Sequence, residues 1–537
     1  MRTRTINFKQ KQSVFWDYFL RNTTDTRCMR NTANFYIRNT MTGLKKDPAD
    51  RTEHEKEVLR DVFHGIEMAN IHAAERYHKK LASLARTGGM KSAVACSVLK
   101  QTVFTYPTKE KWFLNYGTLD AVFKETRHPV YTRMASQVNQ NAIRKTVRAW
   151  EGYFKALREY NAHPEKFHAK PGIPGYIREQ ESTAWWTRQT AKLCIRNGKA
   201  FLQFVGMKEM FCIGREDDFS GLAYVKTEIS PYHGQFKVMV TFDDKAEAPA
   251  APERPACILG IDTGLDNLLA VAGNFGCHPF IIKGGPVKAV NQWYNKRRAK
   301  LLSGLTKGSD STRSKKTSRA LRALSRKRED ALRDMFYKCA WYIVRYAKAH
   351  KVDVIVIGHT KDQKQDICMG KQNNQSFVSV PYDKIRMILQ HVAGRMGIPC
   401  VEQEESYTSQ ASILDSDPIP VYGKENGTVS FSGKRIHRGL YRSADGTVIN
   451  ADVNGAANIL CKRYPYAYEG QDLSYLWETT DTVSIHGWYV SYKKRPEHKV
   501  HTASGNAKAR HRCRSQNRLT YMQVFNATKS VWTVQSA

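Results

Sequence analysis

A chain of 537 residues is long enough for roughly two to four domains with cores of their own, which excludes a small stapled fold. Lys plus Arg number 85 against 50 Asp plus Glu, a net charge of +35, and an excess that large repels itself unless a polyanion such as nucleic acid neutralises it. No run of 18 apolar residues occurs, and Met1-Arg2-Thr3-Arg4-Thr5 leads into polar residues rather than an apolar signal core, so no membrane partner and a cytoplasmic location, the prokaryotic cytosol or nucleoid, are expected.

Residues 1–45 mix aromatic and polar residues, as in Phe15-Trp16-Asp17-Tyr18-Phe19, and leave strand or short helix open; they are expected to open a small β-barrel. Residues 46–163 are expected to form a helical lobe. Its best helix runs from Tyr131 to Tyr160, where Met134, Val138, Ile143, Val147, Trp150, Phe154 and Leu157 make an apolar stripe beside Arg144, Lys145, Arg148, Lys155 and Arg158. Pro164 and Lys170-Pro171-Gly172-Ile173-Pro174-Gly175-Tyr176 break the helix, and residues 164–250 turn to short strands that continue the barrel. Trp185 and Trp186 are core residues or a platform for nucleobases.

After the Ala/Pro-rich linker around Ala248-Pro249-Ala250-Ala251-Pro252, residues 251–465 read as an α/β unit. Strands at Cys257–Ile261, Asn267–Ala272 and Pro279–Ile282 precede a helical hairpin over 288–350. The strand Val352–Ile357, the helix Tyr382–Met396, the strand Ile398–Glu402 and a helix from Asp452 to Lys462 complete it. Between Lys296 and Arg328 stand thirteen Lys or Arg and one acid, Asp310. A solvated face is the ordinary reading of such a run; flanked by Trp293, Tyr294, Phe336 and Trp341, a hairpin that grips a nucleic-acid backbone is expected, through Lys296, Arg297, Arg298, Lys300, Arg319, Arg322 and Arg326. Residues 466–537 read as a basic, partly disordered tail.

Three carboxylates stand where apolar stretches give way to polar ones: Asp262 in Gly260-Ile261-Asp262-Thr263-Gly264, Glu405 (or Glu404) before Ser406-Tyr407-Thr408-Ser409, and Asp452 in Asn450 to Ile459. Hydrolysis of a phosphodiester needs an activated water and a counter-charge for the leaving oxygen. Two Mg²⁺ ions roughly 3.5–4 Å apart supply both and need clustered carboxylates as hard oxygen ligands. Strand register decides between Glu404 and Glu405, since adjacent side chains face opposite ways. The eleven cysteines include no CxxC pair, so zinc is not expected.

Together with Lys371-Gln372-Asn373-Asn374-Gln375-Ser376-Phe377-Val378, Pro381-Tyr382 and Phe431 to Tyr441, these stretches resemble the split RuvC nuclease of TnpB, the transposon-encoded RNA-guided endonuclease, and of the type V CRISPR effectors. The resemblance implies a multidomain α+β protein with a ribonuclease H-like (RuvC) α/β nuclease domain beside an N-terminal, wedge-like β-barrel (1–45 and 164–250) and a helical recognition lobe (46–163). It also implies catalytic, metal-binding Asp262, Glu405 and Asp452, with Glu404 as the alternate; Mg²⁺ as cofactor, two ions, with Mn²⁺ able to substitute; and guide RNA and target double-stranded DNA as partners, bound by one or two copies of the chain. Two departures stand out. Many members carry the second glutamate after the strand written here Val354-Ile355-Val356-Ile357, whereas this chain continues Gly358-His359-Thr360 and resembles the subgroup in which it precedes Tyr-Thr-Ser. His359 reads as a loop residue or a ligand. The interval before Asp452 holds Lys434, Arg435 and Arg438 in place of a zinc ribbon, and Arg438 is the expected contact to a substrate phosphate. An RNA-guided binder without cleavage and a protein-only structure-specific nuclease are the alternatives.

Overall fold

The computed structural model describes residues 1–493 apart from 88, 246, 248, 308–316, 360–379, 422–429 and 487–488. The stretch Lys371 to Val378 and most of the expected tail therefore lie outside the described residues.

Strand β1 (Arg2–Phe8) leads into a 30-residue helix, α1 (Val14–Gly43), capped by Ser13, whose side chain accepts from the Phe15 N–H. Helices α2 (Glu53–Thr87), α3 (Met90–Val98), α4 (Tyr116–Glu125) and α5 (Ser136–Ala162) follow. Six strands come next: β2 (Ala184–Thr187), β3 (Ala191–Arg196), β4 (Lys199–Phe204), β5 (Met210–Arg215), β6 (Ala223–Tyr232) and β7 (Gln235–Asp243). They are hydrogen-bonded as two sheets, β1-β7-β6-β2 and the meander β3-β4-β5.

Residues 1–45 thus give these sheets one strand only. The rest is helix, because Phe15 and Phe19 recur at a one-turn spacing and turn one face onto the strands. Phe8, Tyr18, Phe19, Trp150, Trp186, Phe204, Phe211 and Phe236 belong to a single hydrophobic core, so helices and sheets expected as separate units share one interior. Two buried indoles fasten it: Trp150 Nε1 donates to Asn34 Oδ1 (2.8 Å) and Trp186 Nε1 to the Tyr18 hydroxyl (3.1 Å). The Pro/Gly stretch before β2 is bound along α1, where Arg38 donates to the Pro174 carbonyl (2.7 Å) and Asn31 exchanges two hydrogen bonds with Ile177.

The α/β half is built on β8 (Ile258–Thr263), β9 (Asn267–Gly273), β10 (Phe280–Lys283), the hairpin α6 (Gly285–Thr306) and α7 (Arg319–Ala349), β11 (Val354–His359), α8 (Tyr382–Arg395) and β12 (Cys400–Glu404). A small sheet, β13 (Lys434–His437), β14 (Leu440–Arg442) and β15 (Val448–Asn450), leads into α9 (Ala451–Arg463). After α10 (Ser474–Glu478), β16 (Asp481–His486) and β17 (Tyr489–Lys493) complete a seven-stranded sheet of order β12-β11-β8-β9-β10-β16-β17. β8, β11 and β12 run parallel and β9 runs against β8 and β10.

Both faces of this sheet are covered, so its central strands are apolar throughout. Leu259, Ile261, Ile355 and Ile357 pack with Phe336, Ile343 and Leu389 of α7 and α8, while Ile258, Val354 and Val356 pack with Ala456, Ile459 and Leu460 of α9. By the two-residue period of a strand, Gly260 and Asp262 face α9. The start of the tail expected to be partly disordered is ordered: Phe280 pairs with Asp481 through to Ile282 with Val483, and this strand, with Val483 and Ile485 buried, covers what would otherwise be an open sheet edge. Among the described residues no helix is long and apolar enough to cross a membrane.

Candidate active site

The parallel registers align three strand ends. Ile261 lies opposite Ile357 and His359 opposite Glu404, so Asp262, Gly358 and the Glu404–Glu405 pair reach the same rim. α9 is laid across that rim by small residues. A Cβ on Gly260 would collide with the Ala456 carbonyl and stand 2.9 Å from Leu460 Cβ, and a Cβ on Gly455 would stand 3.0 Å from Asp262 Oδ2. This is the use of Gly260 and Gly455: a side chain at either would press the helix, and Asp452 with it, away from Asp262.

Asp262, Glu405 and Asp452 come together. The Asp262 carboxyl is pushed well above the usual carboxylate range by burial, then by the charges of Glu405 and Asp452. The strand end without a carboxylate explains how Glu405 gets there: Glu405 Oε2 lies where a side chain on Gly358 would begin, beside Ile459. The missing side chain is the room for the relocated glutamate.

Glu404 faces elsewhere. Its Oε2 accepts from Lys462 Nζ (2.6 Å) and its Oε1 from the Ser406 N–H (2.6 Å), and the Lys462 side chain is only 3% exposed. Burial raises its carboxyl, but the bonds from Lys462 and Ser406 outweigh that and hold it below the usual range. Of two adjacent glutamates, one enters the acidic cluster and the other ties β12 to α9.

Asp452 is the second residue of α9, whose N-cap Asn450 accepts from the Asp452 and Val453 N–H groups. Its Oδ2 accepts from Asn267 Nδ2 (2.6 Å) and its Oδ1 from Arg435 (3.4 Å); Asn267 in turn accepts from Lys283 (2.9 Å). Sequence reasoning missed Asn267 and Lys283, whose one signal is a polar residue at the end of an apolar strand. It also missed Asn454 and Asn458, buried one turn apart. They bond the Ala411 carbonyl (2.7 Å each), the Ile413 N–H and the Thr408 carbonyl, and so hold the loop that carries Glu405.

The expected cations divide. Arg435 reaches Asp452 and also donates to the Arg438 carbonyl (2.6 Å). Arg438 pairs with Asp266 at 2.8 Å, while Lys434 is exposed. Asp266, bound first by Lys288 and then by Arg438, is held below the usual carboxylate range. Lys296, Arg297, Arg298, Lys300, Arg319 and Arg322 are exposed on the hairpin. Half-buried Arg326 instead donates to the His233 carbonyl (3.4 Å) at the β6–β7 turn, next to the Tyr232–Asp330 bond (2.9 Å) that docks α7 on the N-terminal half. Among the described residues, no three His, Cys, Asp or Glu side chains form a ready-made metal cage.

Residues 237–364 match the family model OrfB_IS605, described as a probable transposase, in line with the resemblance to TnpB and the type V effectors drawn from the motifs. No curated protein matches the chain. Among solved structures, the chain is similar to a Cas12f1–sgRNA–target DNA complex at 13% identity, covering 85% of this chain and 98% of that one with a TM-score of 0.40. It is similar to the mini-RNA-guided endonuclease CRISPR-Cas_phi3 at 10% identity, 67% and 86% coverage and a TM-score of 0.38. C2c1 of Alicyclobacillus acidoterrestris with single-guide RNA is similar at 8% identity, 93% and 92% coverage and a TM-score of 0.36. At such TM-scores, the site's own residues have to carry any function.

Proposed function

We propose that this TnpB-like chain is an RNA-guided DNA endonuclease: it binds a guide RNA, recognises a short motif in duplex DNA, pairs guide with target, and hydrolyses DNA in one ribonuclease H-like (RuvC) site. The observation that carries the reading is the convergence of Asp262, Glu405 and Asp452 from β8, the end of β12 and the start of α9, where burial and then the charges of the other two raise Asp262.

The donor set fits a hard divalent cation. All three groups are carboxylates, and the glycines at 358 and 455 leave them room; Asp262, Glu405 and Asp452 would hold Mg²⁺. When bound, the metal supplies a lowered water pKa and a counter-charge for the leaving oxygen. The chain's own residues do the rest. Asn267 and the N-cap Asn450 orient Asp452, Asn454 and Asn458 hold the Glu405 loop, and Arg435 and Arg438 stand at the rim where a phosphate enters. The exposed cations of α6 and α7 offer backbone contacts without sequence preference, which suits a division of labour in which base pairing reads the target.

The test is to purify the protein from cells carrying its genomic neighbourhood, sequence the RNA that accompanies it, and assay cleavage of matching duplex DNA with and without Mg²⁺. A defined RNA and Mg²⁺-dependent cleavage of the matching DNA are expected. Guided binding without cleavage would leave a regulator, and cleavage without RNA a protein-only nuclease.

A further inference from the structure

Trp186 is a core residue with 0% exposure. Trp185, one residue before it on β2, must face the other way, and the register shows what it meets there: Trp185 lies opposite Glu228 and Thr187 opposite Lys226. Lys226 Nζ stands 4.5 Å from the Trp185 ring centre, and Lys145 Nζ, reaching over from α5, stands 4.4 Å from it. Arg30 of α1 joins them through Ser182, its Nη1 donating to Ser182 Oγ at 3.0 Å. Two cations, from α5 and β6, thus stand against one indole, with Arg30 of α1 close enough to act on the Lys145 charge.

Their counter-charge is incomplete. Glu228 pairs with Lys226 at 3.1 Å, and Lys145 has one long bond, 3.5 Å, to the Thr183 carbonyl. Arg30 Nε and Trp185 Nε1 are buried with no acceptor among the described residues. The indole fixes the two ammonium groups by cation–π attraction without cancelling their charge, as a carboxylate would. Burial, then Arg30, pushes Lys145 down to about 8, against the pull of Glu228, so the arrangement costs free energy that an arriving anion would return.

We propose that Arg30, Lys145 and Lys226 form a built site for a phosphodiester of bound nucleic acid, with Trp185 holding the two lysines in place. The proposal rests on the nucleic-acid-binding reading above and adds to it a site on the N-terminal half, apart from the basic hairpin. A phosphodiester suits it because one negative charge and two free oxygens can be shared among several fixed donors.

The test compares wild type with Lys145→Gln/Lys226→Gln and, as a control on the hairpin, Lys296→Gln/Arg298→Gln. Each is titrated with the co-purifying RNA and with a duplex DNA of about 20 base pairs across a range of salt. In the lysine pair, affinity should fall about tenfold and the slope of log K against log salt should shrink by roughly one to two, as expected when one or two phosphate contacts are lost. The melting temperature should change little, since the relieved crowding around Lys145 offsets the loss of the Lys226–Glu228 pair. Trp185→Phe should weaken binding with the slope kept. Loss for RNA alone assigns the phosphate to the guide, and loss for DNA alone assigns it to the target. Should the double variant fail to fold, Lys226→Gln, at a side chain 34% exposed, carries the same expectation for one contact. Wild-type affinity and slope in the lysine variants beside a weakened hairpin control would overturn the site and leave the guided-nuclease reading standing. A wild-type protein that binds neither nucleic acid would overturn both.

Discussion

The two halves of the molecule each gather like charges, of opposite sign. At the rim of the seven-stranded sheet burial, then the neighbouring carboxylates Glu405 and Asp452, drive Asp262 upward; beside Trp185 burial, then the neighbouring cation Arg30, drives Lys145 down to about 8. Burial and like-charged neighbours act in the same direction in both places, so each cluster destabilises the empty protein. Neither is needed to hold its half together, since the cores are aliphatic and aromatic. The proposed ligands answer the two charges in turn, a cation for the acidic cluster and a polyanion for the basic one.

The largest effect expected from breaking this pattern is on the acidic side. Asp262→Asn or Asp452→Asn should lower guided cleavage by about a thousandfold or more, as loss of a metal ligand or of oriented charge does, with RNA and target binding retained in a gel-shift assay. Loss of binding instead would make these residues structural. Gly358→Ala should come next. Its methyl would press on Glu405 Oε2 and Ile459, and a displacement of about 1 Å in a reacting group costs roughly a hundredfold; a cleavage time course with wild-type binding checks it, and unchanged cleavage would remove Glu405 from the site.

The adjacent glutamates sharpen the contrast further. Glu404→Gln leaves Lys462, 3% exposed, without its charged partner, and should lower stability in a denaturant titration by about 1–3 kcal/mol, discounted because Glu404 is itself partly solvated. Its folded fraction should still cleave. Glu405→Gln should do the reverse, keeping stability and losing cleavage, and identical behaviour of the two would sink the distinction.

The smallest effect is on pH dependence without metal. The folded pKa of Asp262 lies above its ordinary 3.8, so the folded state binds the proton more readily than the unfolded one. The group's stabilising contribution is present below the unfolded value and is lost as pH rises through the folded one. Asp262→Asn should therefore raise the metal-free melting temperature at neutral pH and flatten its decline between acid and neutral pH. A lowered melting temperature would contradict the repulsion.

Much of the α/β half was legible in the residues. β8, β9, β10 and β11 and helices α8 and α9 lie within a few residues of their expected positions, because long apolar runs and a helix start after Asn450 are local signals. The N-terminal half was less so. α1 was open between strand and short helix, since its aromatic spacing fits both until the strands it packs against are known. Val483 and Ile485 looked like part of a basic tail because only the uncovered edge of β10 gives them a partner.

By itself, the sequence determined that the protein is strongly basic, that three carboxylates end apolar stretches, and which segments are central strands. Those are properties of composition and local period. Tertiary structure alone decided that Glu405 rather than Glu404 joins Asp262 and Asp452, that Gly358 makes the room for it, and that Trp186 is core while Trp185 holds two lysines. Each of these depends on which face of a strand meets which partner. A one-residue step reverses that face, and no local pattern records what lies across it.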